Sequence, residues 1–179
     1  MTLAILTALL AGATVTPVMA KDVTIDIIDG KDWYYGDESS GGDVTGVNAT
    51  VTGTTDEIVY VYGGYASGDY NATNNTVNFL ADKNGKVNLW MYGGYSAFGD
   101  ATGNTVMISS GTASGNVFGG KSVKGDATGN TVMISGGTVS GRVYGGESSD
   151  GDATGNKIII RAGENGETAT FGKHTILDG

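Results

Sequence analysis

The sequence predicts an all-β fold, a single-stranded parallel β-solenoid (β-helix) of about six coils with a period near 26 residues. Two marker series carry that expectation. The Gly-Asp pairs end in Asp43, Asp69, Asp100, Asp126 and Asp152, at spacings of 26, 31, 26 and 26. The aromatic-Gly steps start at Tyr35, Tyr62, Tyr92, Phe118 and Tyr144, with a degenerate Phe171-Gly172, at spacings of 27, 30, 26, 26 and 27. Both series hold one period and both lengthen in one interval, around Leu80 to Leu89, as internal repeats with a single insertion do. Composition is the third observation. The 179 residues include 32 Gly but only 1 Pro and no Cys. Recurrent corners explain such glycine usage, because each corner asks for a backbone conformation that only glycine adopts without cost.

The elements follow in chain order. Met1–Ala20 carries no charge and holds the apolar run Leu3–Ala11, closed by the small-residue ending Val18-Met19-Ala20. A short apolar core before a small-residue end reads as a secretory signal peptide (1–20), too short for a spanning helix, with Lys21 as the new N-terminus. Residues 21–179 form the solenoid domain. Its clearest units begin Gly99-Asp-Ala-Thr-Gly-Asn-Thr-Val-Met-Ile-Ser109 and Gly125-Asp-Ala-Thr-Gly-Asn-Thr-Val-Met-Ile-Ser135, followed by a third copy from Gly151. Within a unit, Asn130–Ser135 alternates with period two and reads as a strand. Gly136-Gly137 reads as a corner, Thr138–Tyr144 as a second extended stretch, and Gly145–Asn156 as a polar loop.

One unit offers too few core-sized side chains to fold alone, so units must stack. Stacked coils lie ~4.8 Å apart. Val106, Val132 and Ile158 then form one interior column and Ile108, Ile134 and Ile160 another. Asn104, Asn130 and Asn156 form an amide ladder along a corner. A β-sandwich is the competing architecture, but sandwich strands diverge because each has different neighbours. On this assignment Val132→Asp disrupts the core, whereas Lys124→Ala changes nothing.

Charge and residue usage narrow the function. Ten Lys+Arg against 19 Asp+Glu give a net charge of −9, unsuited to neutralising phosphates, so no nucleic-acid partner is expected. Without Cys and with one His, neither a structural zinc site nor a Cys nucleophile can be built. His174 stands alone near the end of the sequence. An enzyme of this shape would gather carboxylates with Arg or Lys in one coil, breaking the repeat. The sequence shows acids spread evenly instead, so no catalytic residues are expected. The Asp column, Asp100, Asp126 and Asp152 above all, reads as turn-capping carboxylates, with a bridging calcium ion as the alternative. The aromatic column Tyr62, Tyr92, Phe118 and Tyr144 points outward if Val117 and Val143 point inward. It is then either an exposed binding stripe or a stack shielded by the following loop. Trp33, Tyr65, Tyr70, Trp90 and Tyr95 concentrate aromatic surface in the first half.

The run Gly125-Asp-Ala-Thr-Gly-Asn-Thr-Val-Met-Ile-Ser-Gly-Gly-Thr-Val-Ser-Gly, leading to Val143-Tyr-Gly-Gly146, resembles repeats in the passenger regions of Gram-negative autotransporters. These type V secreted proteins are adhesin-like or haemagglutinin-like. The resemblance covers roughly Tyr35 to Ile160. It implies export, passage through an outer-membrane translocator, display at the cell surface or release, and contact with a protein or glycan on a host or neighbouring cell. On that reading the chain is either a fragment or truncated passenger, or a released one. The other expectations are a solenoid polysaccharide-active enzyme or a calcium-stabilised secreted roll.

Overall fold

A computed structural model of the chain describes residues 20–27, 31–53, 55–81, 86–164, 166–173 and 175–179. The signal-peptide reading, apart from Ala20, and His174 lie outside the described residues. Among the described residues all regular elements are strands, and every pairing between them is parallel. The strands fall into three sheets that the chain visits in rotation.

The first face stacks Lys21–Ile27, Val47–Gly53, Thr76–Leu80, Thr105–Ser110, Thr131–Ile134 and Lys157–Ile160. The second begins with Trp33–Ser39, Thr55–Ala66 and Lys86–Ser96. In later turns it divides into Thr112–Ala113 with Val117–Ser122, then Thr138–Val139 with Val143–Ser148. Thr170–Phe171 and Leu177–Asp178 close it. The third face stacks Val44–Thr45, Ala72–Thr73, Ala101–Thr102, Ala127–Thr128 and Ala153–Thr154. The result is a solenoid of about five turns, followed by the first two faces of a sixth.

Equivalent positions lie on one another as the repeat requires. Val106 pairs with Val132 and Val132 with Ile158, while Ile108, Ile134 and Ile160 form the next column. Val106, Val132, Ile108 and Ile134 are fully buried, and Ile160 is exposed on the last turn. Each fully buried Val or Ile contributes about 1.5–3 kcal/mol by removal from water. The inward positions of the third face are Val44 in the first turn and then Ala72, Ala101 and Ala127, small side chains that suit a narrow corner.

Two features differ from the sequence reading. Gly145–Asn156 is not all loop, because strand pairing runs on to Ser148 and resumes at Ala153–Thr154. Polar and glycine-rich residues form strands here because an identical backbone lies directly beneath them to complete the hydrogen bonds. Phe171 does not continue the aromatic series. It pairs with Val139, and Tyr144 is followed in its column by Asp178.

The Asn column and the aromatic-Gly-Gly step prove to be one device. Asn75, Asn104 and Asn130 are fully buried, and Asn156 extends the column. Asn104 donates its backbone N–H and its side-chain amide to the Asn130 Oδ1, at 2.9 and 3.1 Å. The other amide hydrogen of Asn104 goes to the Ala72 carbonyl at 2.8 Å. Every polar atom of the buried amide is thereby satisfied, removing a penalty of about 1–3 kcal/mol per orphaned group. Room for the amide comes from the opposing strand. A Cβ on Gly94, Gly120 or Gly146 would overlap Asn104, Asn130 or Asn156 respectively. At the start of the second turn Val47 occupies the Asn position, and Asp37 of the preceding second-face strand replaces the glycine.

Gly120→Ala is therefore expected to cost about 2–3 kcal/mol through overpacking against a buried amide. Gly129 has φ +65° with nothing near its missing Cβ, and Asn74 adopts φ +54° at the equivalent corner. Gly129→Asn is expected within about 0.5 kcal/mol of the parent. Denaturant midpoints of the two variants test the pairing, which equal losses would contradict. Val132→Asp should lose several kcal/mol by burying an unpaired charge. Lys124, exposed and ion-paired with Asp150, can be truncated at a cost of at most about 1 kcal/mol, read from the same denaturation curves.

Candidate functional site

The second face carries the aromatic residues. In Val59–Tyr65, Val59 and Val61 point into the core, which sends Tyr62 outward. Simple alternation would then place Tyr65 inside. Gly63 and its counterpart Gly93 are both passed over in the pairing between Tyr62–Tyr92 and Gly64–Gly94, and this break, matched on both strands, resets the phase. Tyr62 and Tyr65 consequently project on the same side, their rings edge to face at 5.1 Å.

Stacking multiplies the pattern into three columns. The central one runs Tyr35, Tyr62, Tyr92, Phe118 and Tyr144, with centroid separations of 5.3, 4.8, 4.9 and 4.9 Å and interplanar angles of at most 15°. On one flank stand Trp33, Tyr60 and Trp90, at 6.1 and 5.9 Å. On the other, Tyr65 and Tyr95 stack at 5.1 Å. Lys121 continues that flank, its ammonium 4.9 Å from the Phe118 centroid and 2.8 Å from the Glu147 carboxylate.

The structure thus brings the candidate residues Tyr62, Tyr92, Phe118 and Tyr144 together. It also shows that the ring faces of the first three are covered by their neighbours. Tyr62, Tyr92 and Phe118 are 8, 5 and 2% exposed, screened by the flanking columns rather than by the following loop. The central column is a spine. The accessible aromatic surface lies on its flanks, with Trp33 at 50% exposure. Tyr60 belongs to that flank, a position signalled in the sequence by its place two residues before Tyr62, as Trp33 stands before Tyr35 and Trp90 before Tyr92.

The aspartate column is a hydrogen-bonding rail on the third face. The Asp100 Oδ1 accepts the Asp126 N–H at 2.8 Å, and the Asp126 Oδ1 accepts the Asp152 N–H at 2.9 Å. Asp69 is not part of it. The segment between Ala66 and Ala72 is one residue longer than its counterparts, and Asn71 takes the place, accepting the Asp100 N–H at 2.8 Å. These carboxylates accept backbone N–H groups of the next coil, 26 residues on, rather than one within their own turn. Among the described residues no group of three or more Asp, Glu or His side chains is placed to hold a metal ion.

One feature escapes the sequence reading. Val139 pairs with Phe171, 32 residues on, whereas Ala113 pairs with Val139 after 26. The surplus forms an arm that returns over the first face and brings Arg161, Glu164 and Glu167 to the rim of one cavity. The Glu residues lie in a stretch with no counterpart in other turns, so periodicity could not place them.

Comparison of the chain with protein-family models, with curated proteins and with solved structures finds no match.

Burial, followed by the proximity of other tyrosines, raises the phenols of Tyr62 and Tyr92 well above the usual tyrosine range. Burial also raises Tyr35 and Tyr95, with Glu38 and Tyr65 as the respective next causes. A raised folded-state value favours the neutral phenol in the native protein. The associated stability is fully present below about pH 10, where unfolded tyrosine titrates, and is lost as pH rises above it. Absorbance titration should show the Tyr62 and Tyr92 phenols ionising only with alkaline unfolding. Ionisation of all nine together in the folded state would contradict the stacked spine.

Proposed function

We propose that the protein is an exported β-solenoid that acts as an adhesive and structural module at the cell surface or in the surrounding medium, in the manner of an autotransporter passenger. The observation that supports this most is the aromatic strip. It runs along the axis outside the core, as a separate cluster on a rigid face. A stack of five rings holds its centre, and Trp33, Tyr60, Trp90, Tyr65 and Tyr95 line its edges. Aromatic edges with hydroxyl tips suit partners that are part apolar and part polar, such as a glycan or a protein surface. Repetition along the axis lets several weak contacts form on one partner and raises avidity. The charge-free apolar segment Leu3–Ala11 and its small-residue end support export.

Binding of the purified chain to cultured cells and to an immobilised glycan panel tests the reading. Trp33→Ala combined with Trp90→Ala is expected to weaken binding about tenfold or more, with circular dichroism unchanged, since both rings sit at the accessible flank. Binding that survives the double substitution would remove the strip from the proposal. Retention of the leader on the mature protein, read by N-terminal sequencing after expression in a Gram-negative host, would remove the export part.

A further inference from the structure

We infer that the cleft beneath the arm formed by residues 161–164 and 166–169 is a saccharide-binding site, separate from the aromatic strip and independent of it. The arm is held as a compact turn. The Gly163 N–H donates to the Glu167 carbonyl at 2.8 Å, the Gly166 N–H donates to the Gly163 carbonyl at 3.1 Å, and Gly166 has φ +75°. Its floor is rigid, because it consists of the ends of first-face strands. Ser109, Ser135 and Arg161 occupy one column there, bonded through Ser135 N–H to Ile108 and Arg161 N–H to Ile134. The Ser109 and Ser135 hydroxyls lie 3.4 Å apart.

The Glu167 carboxylate stands over Gly136, where a Cβ would lie 3.4 Å from its Oε2. Two hollows meet at this point. One, of about 460 Å³, is bounded by Met107, Ser109, Ser135, Arg161, Glu164 and Glu167. The other, of about 280 Å³, adds Ser110, Thr138, Thr168 and Thr170 and shares Ser109 and Glu167. The larger alone falls in the ~300–1,000 Å³ range of small-molecule sites.

The chemistry selects the ligand class. Hydroxyls both donate and accept, a carboxylate only accepts and a guanidinium only donates. A mixed lining of this kind pairs with a ligand whose groups also do both, which is the property of a polyhydroxylated sugar. An anion would meet two carboxylates against one guanidinium. A divalent cation would need a denser set of acids than the described residues supply. A neutral sugar unit remains, its hydroxyls donating to Glu167 and accepting from Arg161 and the serines, with Met107 as the apolar contact for its C–H face.

Saturation-transfer NMR on the full chain tests this, with methyl β-galactoside, methyl α-mannoside and N-acetylglucosamine as neutral probes and glucuronate as the anionic one. Transfer to at least one neutral probe is expected. Glu167→Gln should weaken it about tenfold, as should Ser135→Ala combined with Arg161→Ala, while Trp33→Ala leaves it unchanged. Circular dichroism of each variant confirms that the solenoid is intact. The inference is overturned by absence of transfer to every neutral probe, by transfer to glucuronate alone, or by transfer that Glu167→Gln does not reduce. Failure of the strip variants to alter cell binding leaves this result untouched, so the two readings are tested apart.

Discussion

Parallel pairing of each position with its own equivalent one turn away is the constraint on which this protein depends. In a parallel ladder the side chains of like positions point the same way, so any residue placed at a site must tolerate a copy of itself as neighbour. Valine, isoleucine and alanine satisfy that inside. Asparagine satisfies it at the corner because its amide is both donor and acceptor, so a column can bond along its own length. Flat rings satisfy it outside by stacking. Bare carboxylates would repel, and the Asp column offsets this by placing a backbone N–H against one oxygen of Asp100 and one of Asp126.

The same rule explains why the glycines cannot be redistributed. The second glycine of each aromatic-Gly-Gly step packs against a member of the asparagine column, and the first sits at the break in pairing that keeps two rings on one side. Core, corner and aromatic surface are therefore coupled through three consecutive residues. A change made for the surface at Gly93 or Gly94 acts on the interior as well.

Much of this was legible before any coordinates. Val106, Val132 and Ile158, with their neighbours two residues on, announce a first-face strand by alternation and by repetition. The Asn column was visible for the same reason. The third face was not, because Ala-Thr is only two residues long and sits among glycine, serine and aspartate; its strands exist by pairing rather than by propensity. Asp69 was misplaced because one added loop residue shifts a motif that looks intact in one dimension. The central aromatic column was found by spacing, but its burial depends on Trp33, Tyr60 and Trp90 lying beside it. The cleft under Glu167 was invisible, since its acids lie in a segment that follows no period.

The hydrogen-bonded columns also have a sense of direction. In the asparagine column the earlier turn donates and the later turn accepts, as from Asn104 to Asn130. In the aspartate column the later turn donates and the earlier accepts, as from Asp126 to Asp100. From Asp100 and Asn104 through Asp126 and Asn130 to Asp152 and Asn156, each joint is thus fastened by two opposed clasps, the same at both. A gene that gains or loses a whole 26-residue segment leaves each remaining clasp facing the mate it requires. Length can then drift by duplication while the cross-section stays the same.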